Sequence, residues 1–200
     1  MGTATLAHCS ILILAGGQGS RMGGLDKGLV DWHGKPFVAW IHDVARPLTD
    51  ELLISCNRNQ DRYACFADRL VGDAEPGYPG PLAGIMAGLA ASRGRWTLTL
   101  PCDSPRIDQS LLQQMYETAL LTPRLPLMVT QSGHWQPLFC VIPTHLSAEI
   151  EAGWHAGERS NYRILERLGA QALDLEPDDE RLVNLNSADV MALHAPAGGT

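Results

Sequence analysis

Residues 11–28 read Ile-Leu-Ile-Leu-Ala-Gly-Gly-Gln-Gly-Ser-Arg-Met-Gly-Gly-Leu-Asp-Lys-Gly. The run Ile11 to Leu14 is apolar and is cut off by glycine, which predicts a short buried strand. Gly16, Gly17, Gly19, Gly23 and Gly24 crowd the stretch that follows, and Arg21 and Lys27 carry its positive charge. Glycine lets the backbone turn through positive φ and bring its N–H groups close to a ligand. Such N–H groups, with an Arg and a Lys among them, make a seat for a polyanion, a phosphate chain above all. The bland alternative is a glycine-rich turn with two solvated cations.

Three known phosphate signatures fail here. A Walker A loop ends in Gly-Lys-Ser/Thr, whereas Lys27 follows Asp26 and precedes Gly28. A dinucleotide fingerprint needs a third glycine where Met22 stands, although Gly17 and Gly19 satisfy the first two positions. A kinase glycine loop requires a set of partner motifs that the chain lacks.

Outward from the loop, strand and helix patterns alternate. Residues 28–31 suit a short extended segment, and Gly34-Lys35-Pro36 a turn into a helix carrying Val38, Ile41 and Ala45. Residues 51–56 predict a second buried strand, 60–67 a short helix and Leu70-Val71 a short strand. Pro81 opens a helix whose Leu82, Ile85, Met86 and Leu89 share a face. Residues 96–100 predict a strand that Pro101 and Pro105 terminate. Asp108 can cap a helix bearing Leu111, Leu112, Met115 and Ala119. Strands are expected at 127–130 and 138–142 around a turn at Ser132-Gly133, and helices near 144–153 and 158–168. Two more strands are expected near 171–175 and 181–185, then a helix from Ser187 through Leu193 and a frayed tail at 195–200. This order predicts an α/β fold, three layers α/β/α around a mostly parallel, Rossmann-like sheet. It suits one domain, with a first part at about 9–106 and a second at about 107–194.

Two hundred residues can bury a sizeable core, and 45% apolar with 18% charged residues is globular composition. A net charge of −7 argues against a nonspecific nucleic-acid binder and for a small anionic ligand at a locally basic loop. Cys9, Cys56, Cys65, Cys102 and Cys140 are odd in number and contain no Cys-x-x-Cys pair, which fits reduced thiols in the cytoplasm. Neither a signal peptide nor a membrane-length apolar run is expected. The seven histidines are scattered, with His134 beside Trp135 the one weak substrate-contact candidate, and no Ser/His/Asp or Cys/His constellation stands out.

In a parallel sheet, ligands bind outside the carboxyl ends of the strands. The exits here are Ala15 to Lys27, Ser55-Cys56-Asn57, Gly72-Asp73 and Cys102-Asp103. Asp103, pinned between Pro101 and Pro105, can hold Mg²⁺, which takes one or two carboxylates plus waters and phosphate oxygens. Its simpler role is to cap the next turn. Asp73 is either a turn residue or an acceptor for the paired N1–H and N2–H₂ donors of a guanine. Arg21 and Lys27 are placed to neutralise a phosphate chain. Cys102 reads as a small core residue.

Leu14-Ala15-Gly16-Gly17-x-Gly19-Ser20-Arg21-Met22-Gly23-Gly24-x-Asp26-Lys27 resembles the N-terminal signature of the molybdenum cofactor guanylyltransferases, the MobA family, within the nucleotidyltransferases. Pro101-Cys102-Asp103, Gly80-Pro81-Leu82-Ala83-Gly84, Gln136-Pro137-Leu138-Phe139, Ala156-Gly157-Glu158-Arg159 and Asn184-Leu185-Asn186 are similar to further segments of that family. The resemblance runs from about Ile11 to Leu193 and implies a nucleotide-diphospho-sugar transferase type of fold. It implies transfer of GMP from GTP to molybdenum-molybdopterin, with Mg²⁺ held by Asp103 and with cofactor-synthesis or acceptor proteins as possible partners. It also implies GTP contacts from Leu14, Ala15, Gly16, Gly17, Lys27, Asp73, Gly80, Pro81, Leu82 and Asp103, and pterin contacts from Gln136, Asn184 and Asn186. Where the family commonly carries an Asn at the second strand exit, this chain has Ser55, so either Ser55 or Asn57 takes that place. Ser160-Asn161-Tyr162 departs from the more basic or apolar residues usual there. The rivals are a cytidylyltransferase on the same pterin, whose loop more often reads Leu-Ala-Ala-Gly, a noncatalytic nucleotide-binding protein, and a sugar-1-phosphate nucleotidyltransferase.

Overall fold

The computed structural model describes residues 5–17, 26–74 and 80–185. The elements in order are β1 (Cys9–Leu14), β2 (Asp31–Trp32), β3 (Lys35–Pro36), α1 (Phe37–Ala45), β4 (Leu52–Ser55), α2 (Gln60–Tyr63), β5 (Arg69–Val71), α3 (Pro81–Ala91) and β6 (Trp96–Pro101). After them come α4 (Gln109–Leu121), β7 (Leu127–Gln131), β8 (His134–Pro143), α5 (Ser147–His155), α6 (Asn161–Arg167) and β9 (Gln171–Leu175). Seven strands form one sheet in the order β5-β4-β1-β6-β8-β7-β9. Only β8 runs against its neighbours; β1 is parallel to both β4 and β6, β4 to β5 and β7 to β9. The mostly parallel sheet expected from the sequence is therefore the one observed, and it is continuous across the expected division near residue 106.

Both faces of the sheet are covered, so its central strands β1, β4 and β6 are buried along their whole length and mostly apolar, with Ser10, Ser55, Thr97 and Thr99 as the buried polar exceptions. Ile11 and Ile13 of β1 join Leu52, Ile54, Leu98 and Leu100 in a core under α1 and α4. Leu12 and Leu14 join Leu53, Met128, Cys140 and Ile142 in a second core under α3, α5 and α6. Each fully buried Leu or Ile there contributes about 1.5–3 kcal/mol. The cap at Asp108 forms as expected, its carboxylate accepting the Leu111 N–H at 2.8 Å.

Helix α3 lies unusually close to the sheet, and two glycines one turn apart allow it. A Cβ at Gly84 would stand 2.5 Å from Ser55 Oγ, and one at Gly88 would stand 2.2 Å from Leu12 Cδ2. This close seating fixes where the amino end of α3 projects.

Some local expectations are corrected. Residues 28–31 are not one extended segment: Lys27–Leu29 is a 3₁₀ turn, and Asp31–Trp32 pairs back on Lys35–Pro36 through His33 and Gly34, both at positive φ. The strand expected at 181–185 is instead a 3₁₀ turn at Glu180–Leu182, because Asp179 caps it and its Arg181 folds back onto Asp179 and Asp108. β8 is longer than expected and carries an irregularity opposite Met128/Val129, in the stretch containing Pro137. The helix expected from Ser187 and the tail at 195–200 lie outside the described residues.

Candidate active site

The backbone ladder continues one residue beyond the carboxyl ends of the central strands. Ala15 N–H donates to Ser55 O at 2.8 Å, Cys56 N–H to Val71 O at 2.9 Å and Cys102 N–H to Leu14 O at 3.1 Å. These bonds hold the exits of β1, β4, β5 and β6 side by side. The result is a cleft of about 320 Å³. It is lined by Leu14, Ala15, Gly16, Gly17, Lys27 and Asp103, and by Ser55, Asp73, Gly80, Pro81 and Gly84, with Leu138 of β8 on the wall.

Asp103 is almost wholly buried, and its Oδ2 receives Lys27 Nζ at 2.8 Å. Its carbonyl accepts the Leu185 N–H at 2.8 Å, which draws the segment containing Asn184 to the metal-ligand candidate. Leu185 in turn packs on Phe37, with Val30 and Trp32 against them. Cys102 faces the core, and burial pushes its thiol far above the ordinary range, so it is a packing residue as expected.

Across the cleft, Asp73 and Asn57 clasp each other. Asn57 Nδ2 donates to Asp73 Oδ2 at 2.7 Å, and Asp73 N–H donates to Asn57 Oδ1 at 2.9 Å. Burial raises the Asp73 carboxyl above its ordinary value, and the Asn57 hydrogen bond opposes that shift. Asn57 is therefore committed to holding Asp73, whereas Ser55 borders the cleft itself. Sequence reasoning left that pair open, because a side chain's pairing partner cannot be read from a strand-exit position.

Gly80 sits at φ 111°, and Pro81 occupies the first turn of α3, so the amino end of this eleven-residue helix faces the cleft. Its positive dipole end suits an anion or a polar ligand edge. Leu82, expected among the nucleotide contacts, is fully buried in the core beneath α3 and does not line the cleft. Gln136 lies in β8 opposite Val129, away from the lining, and Asn184 is exposed next to Leu185. Arg21 and Asn186 lie outside the described residues.

Among the described residues no group of three or more His, Cys, Asp or Glu side chains gathers anywhere. One buried carboxylate, Asp103, opening on the cleft fits Mg²⁺ of the kind that completes its shell with phosphate oxygens and water, and does not fit an all-protein cage.

A glycine-rich β1 exit, a lysine-carboxylate pair and a helix amino end at one edge of a parallel sheet define a nucleotide-handling α/β protein. The sequence profile of the MobA-like NTP transferase domain matches residues 11–172, so the chain belongs to that family of nucleotidyltransferases. A molybdenum cofactor guanylyltransferase of Pseudomonas aeruginosa LESB58 is 54% identical over 97% of this chain and 98% of its own. One from Pseudomonas fluorescens Pf0-1 is 56% identical over 94% of each. The crystal structure of molybdopterin-guanine dinucleotide biosynthesis protein A from Archaeoglobus fulgidus superposes with a TM-score of 0.73 at 20% identity, over 92% of this chain and 95% of that one. That of 2-C-methyl-D-erythritol 4-phosphate cytidylyltransferase from Thermus thermophilus gives 0.65 at 14% identity, over 90% and 95%. At such identities the two structures speak for the fold alone.

Proposed function

We propose that the protein transfers GMP from GTP to molybdenum-molybdopterin, giving the guanine dinucleotide form of the cofactor and pyrophosphate. The observation that carries this is the convergence of Lys27, Asp103, Asp73 and the α3 amino end on one cleft in a chain of this family. The names of relatives more than half identical in sequence support the choice of GTP and pterin as substrates.

The pterin's phosphate oxygen attacks the α-phosphorus of GTP, the α–β bridging P–O bond breaks, and pyrophosphate leaves with that electron pair. No side-chain nucleophile is required. Lys27 and Arg21 hold the triphosphate and offset charge on the departing pyrophosphate. The backbone at Gly16 and Gly17 and the amino end of α3 seat the nucleotide, with Leu14, Ala15 and Ser55 forming the walls. Asp73, oriented by Asn57, accepts the guanine donors. Asp103 would hold Mg²⁺, which supplies charge neutralisation to the phosphates. Asn184, beside Leu185, and Gln136 of β8 are assigned to the second substrate, together with Asn186 from the sequence.

Among the described residues no helix is long and apolar enough to cross a membrane, and all five cysteines are free thiols. Those thiols favour a cytoplasmic setting, where cofactor-synthesis and acceptor proteins would be its partners. Calorimetric titration with GTP, CTP, ATP and UTP in the presence of Mg²⁺ tests the base assignment. GTP is expected to bind tightest; preferential binding of CTP would replace this reading with a cytidylyltransferase.

A further inference from the structure

Behind Lys27 lies a group of side chains that no step of this chemistry uses. Asp26 has a carboxylate only 7% exposed. Its Oδ1 receives the Tyr63 hydroxyl, its Oδ2 receives Asn59 Nδ2 at 2.9 Å, and Arg58 Nε stands 3.6 Å from Oδ2. Arg58 also reaches Gly17 O with a second nitrogen at 3.4 Å. Gly17 and Asp26 are the two stems of the glycine-rich loop, so Arg58 touches both of them.

The backbone is shaped to permit this. Asn59 adopts φ 52°, the left-handed conformation that Asn tolerates better than most residues, and so turns its amide toward Asp26. Gly28 has no room for a side chain: a Cβ there would meet Tyr63 Oη at 2.5 Å and Cys102 Cβ at 3.3 Å. The 3₁₀ turn that carries Lys27 is thus wedged between Tyr63 and the β6 exit, while Asp26 is tied on its other flank. Tyr63 is fully buried, so the clasp stands on the core.

We propose that Tyr63, Asn59 and Arg58 are positioning residues for nucleotide binding, acting through Asp26 to clamp the loop stems and aim Lys27 into the cleft. This rests on the reading of Lys27 as a triphosphate-binding residue. The clasp fixes the direction of the lysine before any ligand arrives, which removes an ordering cost from binding. Its three donors come from the α2 region, outside the glycine-rich signature and outside the cleft lining.

The test is a mutant cycle between Tyr63→Phe and Lys27→Ala, read as KM for GTP, KM for the pterin and kcat. Tyr63→Phe alone is expected to raise the GTP KM about tenfold and leave the pterin KM within twofold. In the Lys27→Ala background the same change is expected to alter the GTP KM less than twofold, since its effect passes through that lysine. Asn59→Gly keeps the left-handed backbone and deletes one donor, and is expected to raise the GTP KM about threefold with no loss of folded protein. An equal rise from Tyr63→Phe in both backgrounds would overturn the proposal. So would an unchanged GTP KM in both Tyr63→Phe and Asn59→Gly while Lys27→Ala impairs binding. If Lys27→Ala leaves the GTP KM untouched, the phosphate role of Lys27 falls, and the clasp proposal falls with it.

Discussion

At the scale of residues, the site turns on two carboxylates in different surroundings. Asp103 is neutralised by Lys27 at 2.8 Å and stands where a cation and phosphates would meet. Asp103→Asn keeps the volume but discards the charge, and is expected to lower GMP transfer by about 10³-fold or more, a loss of the size seen when a charge-stabilising group is removed. Circular dichroism and melting should stay close to wild type. Among the described residues no cation shifts Asp73; burial holds its carboxyl above the ordinary value near 3.9, against the Asn57 hydrogen bond. A raised folded pKa disfavours the charged form, so Asp73 weakens the fold at neutral pH, and that penalty lifts as pH falls through its folded pKa. Under the proposed function guanine binding has the opposite sign, because that role needs the ionised acceptor. GTP affinity is therefore expected to decline as pH falls through a range lying above the ordinary carboxylate value, and Asp73→Asn should remove that limb of a calorimetric pH series.

At the scale of elements, the close seating of α3 on the sheet sets its amino end against the cleft. Gly88→Ala would press a methyl to 2.2 Å from Leu12 Cδ2, within a core that gives Leu12 no exposed side to retreat to. Overpacking of this kind costs about 1–3 kcal/mol, against a helix-propensity gain of up to about 1 kcal/mol. Denaturant titration is expected to show net destabilisation, and the GTP KM should rise as the α3 amino end shifts. The sequence made the existence of α3 plain through Pro81 and its apolar spacing, and likewise the apolar run of β1 and the Asp108 cap of α4. It did not disclose that Gly84 and Gly88 serve close packing, because that requires knowing which strand lies beneath. Leu82 shows the limit from the other side: it sits within a segment that resembles a nucleotide-binding motif, yet points into the core. The turn at Glu180–Leu182 was missed because Asp179, Arg181 and Asp108 decide it together, and they are distant in sequence.

At the scale of the whole molecule, chemistry and stability occupy opposite edges of the sheet. The carboxyl ends of the strands carry the cleft. Near the amino ends of β1 and β4, Glu51 receives Ser10 Oγ at 2.5 Å, the Arg93 N–H at 2.7 Å and a guanidinium nitrogen of Arg69. Burial acts to raise the Glu51 carboxyl, but these donors together outweigh it and hold the group below its ordinary value. A depressed folded pKa adds stability above the unfolded value near 4.3, and that contribution is lost as pH falls through the folded pKa. Glu51→Gln is expected to cost about 1–3 kcal/mol at neutral pH, to flatten the acid limb of stability, and to leave the GTP KM unchanged. The convergence of four strand exits on one edge was legible from chain order, because a parallel sheet brings such exits together. The Asn57–Asp73 clasp and the support behind Asp26 were not, since they depend on side-chain reach across separate loops. The most direct measurement is product formation with purified protein, molybdenum-molybdopterin, Mg²⁺ and an equimolar mixture of GTP and CTP, resolved by mass spectrometry. The guanine dinucleotide with stoichiometric pyrophosphate is the expected result; a cytosine dinucleotide as the main product, or no dinucleotide at all, would contradict the account.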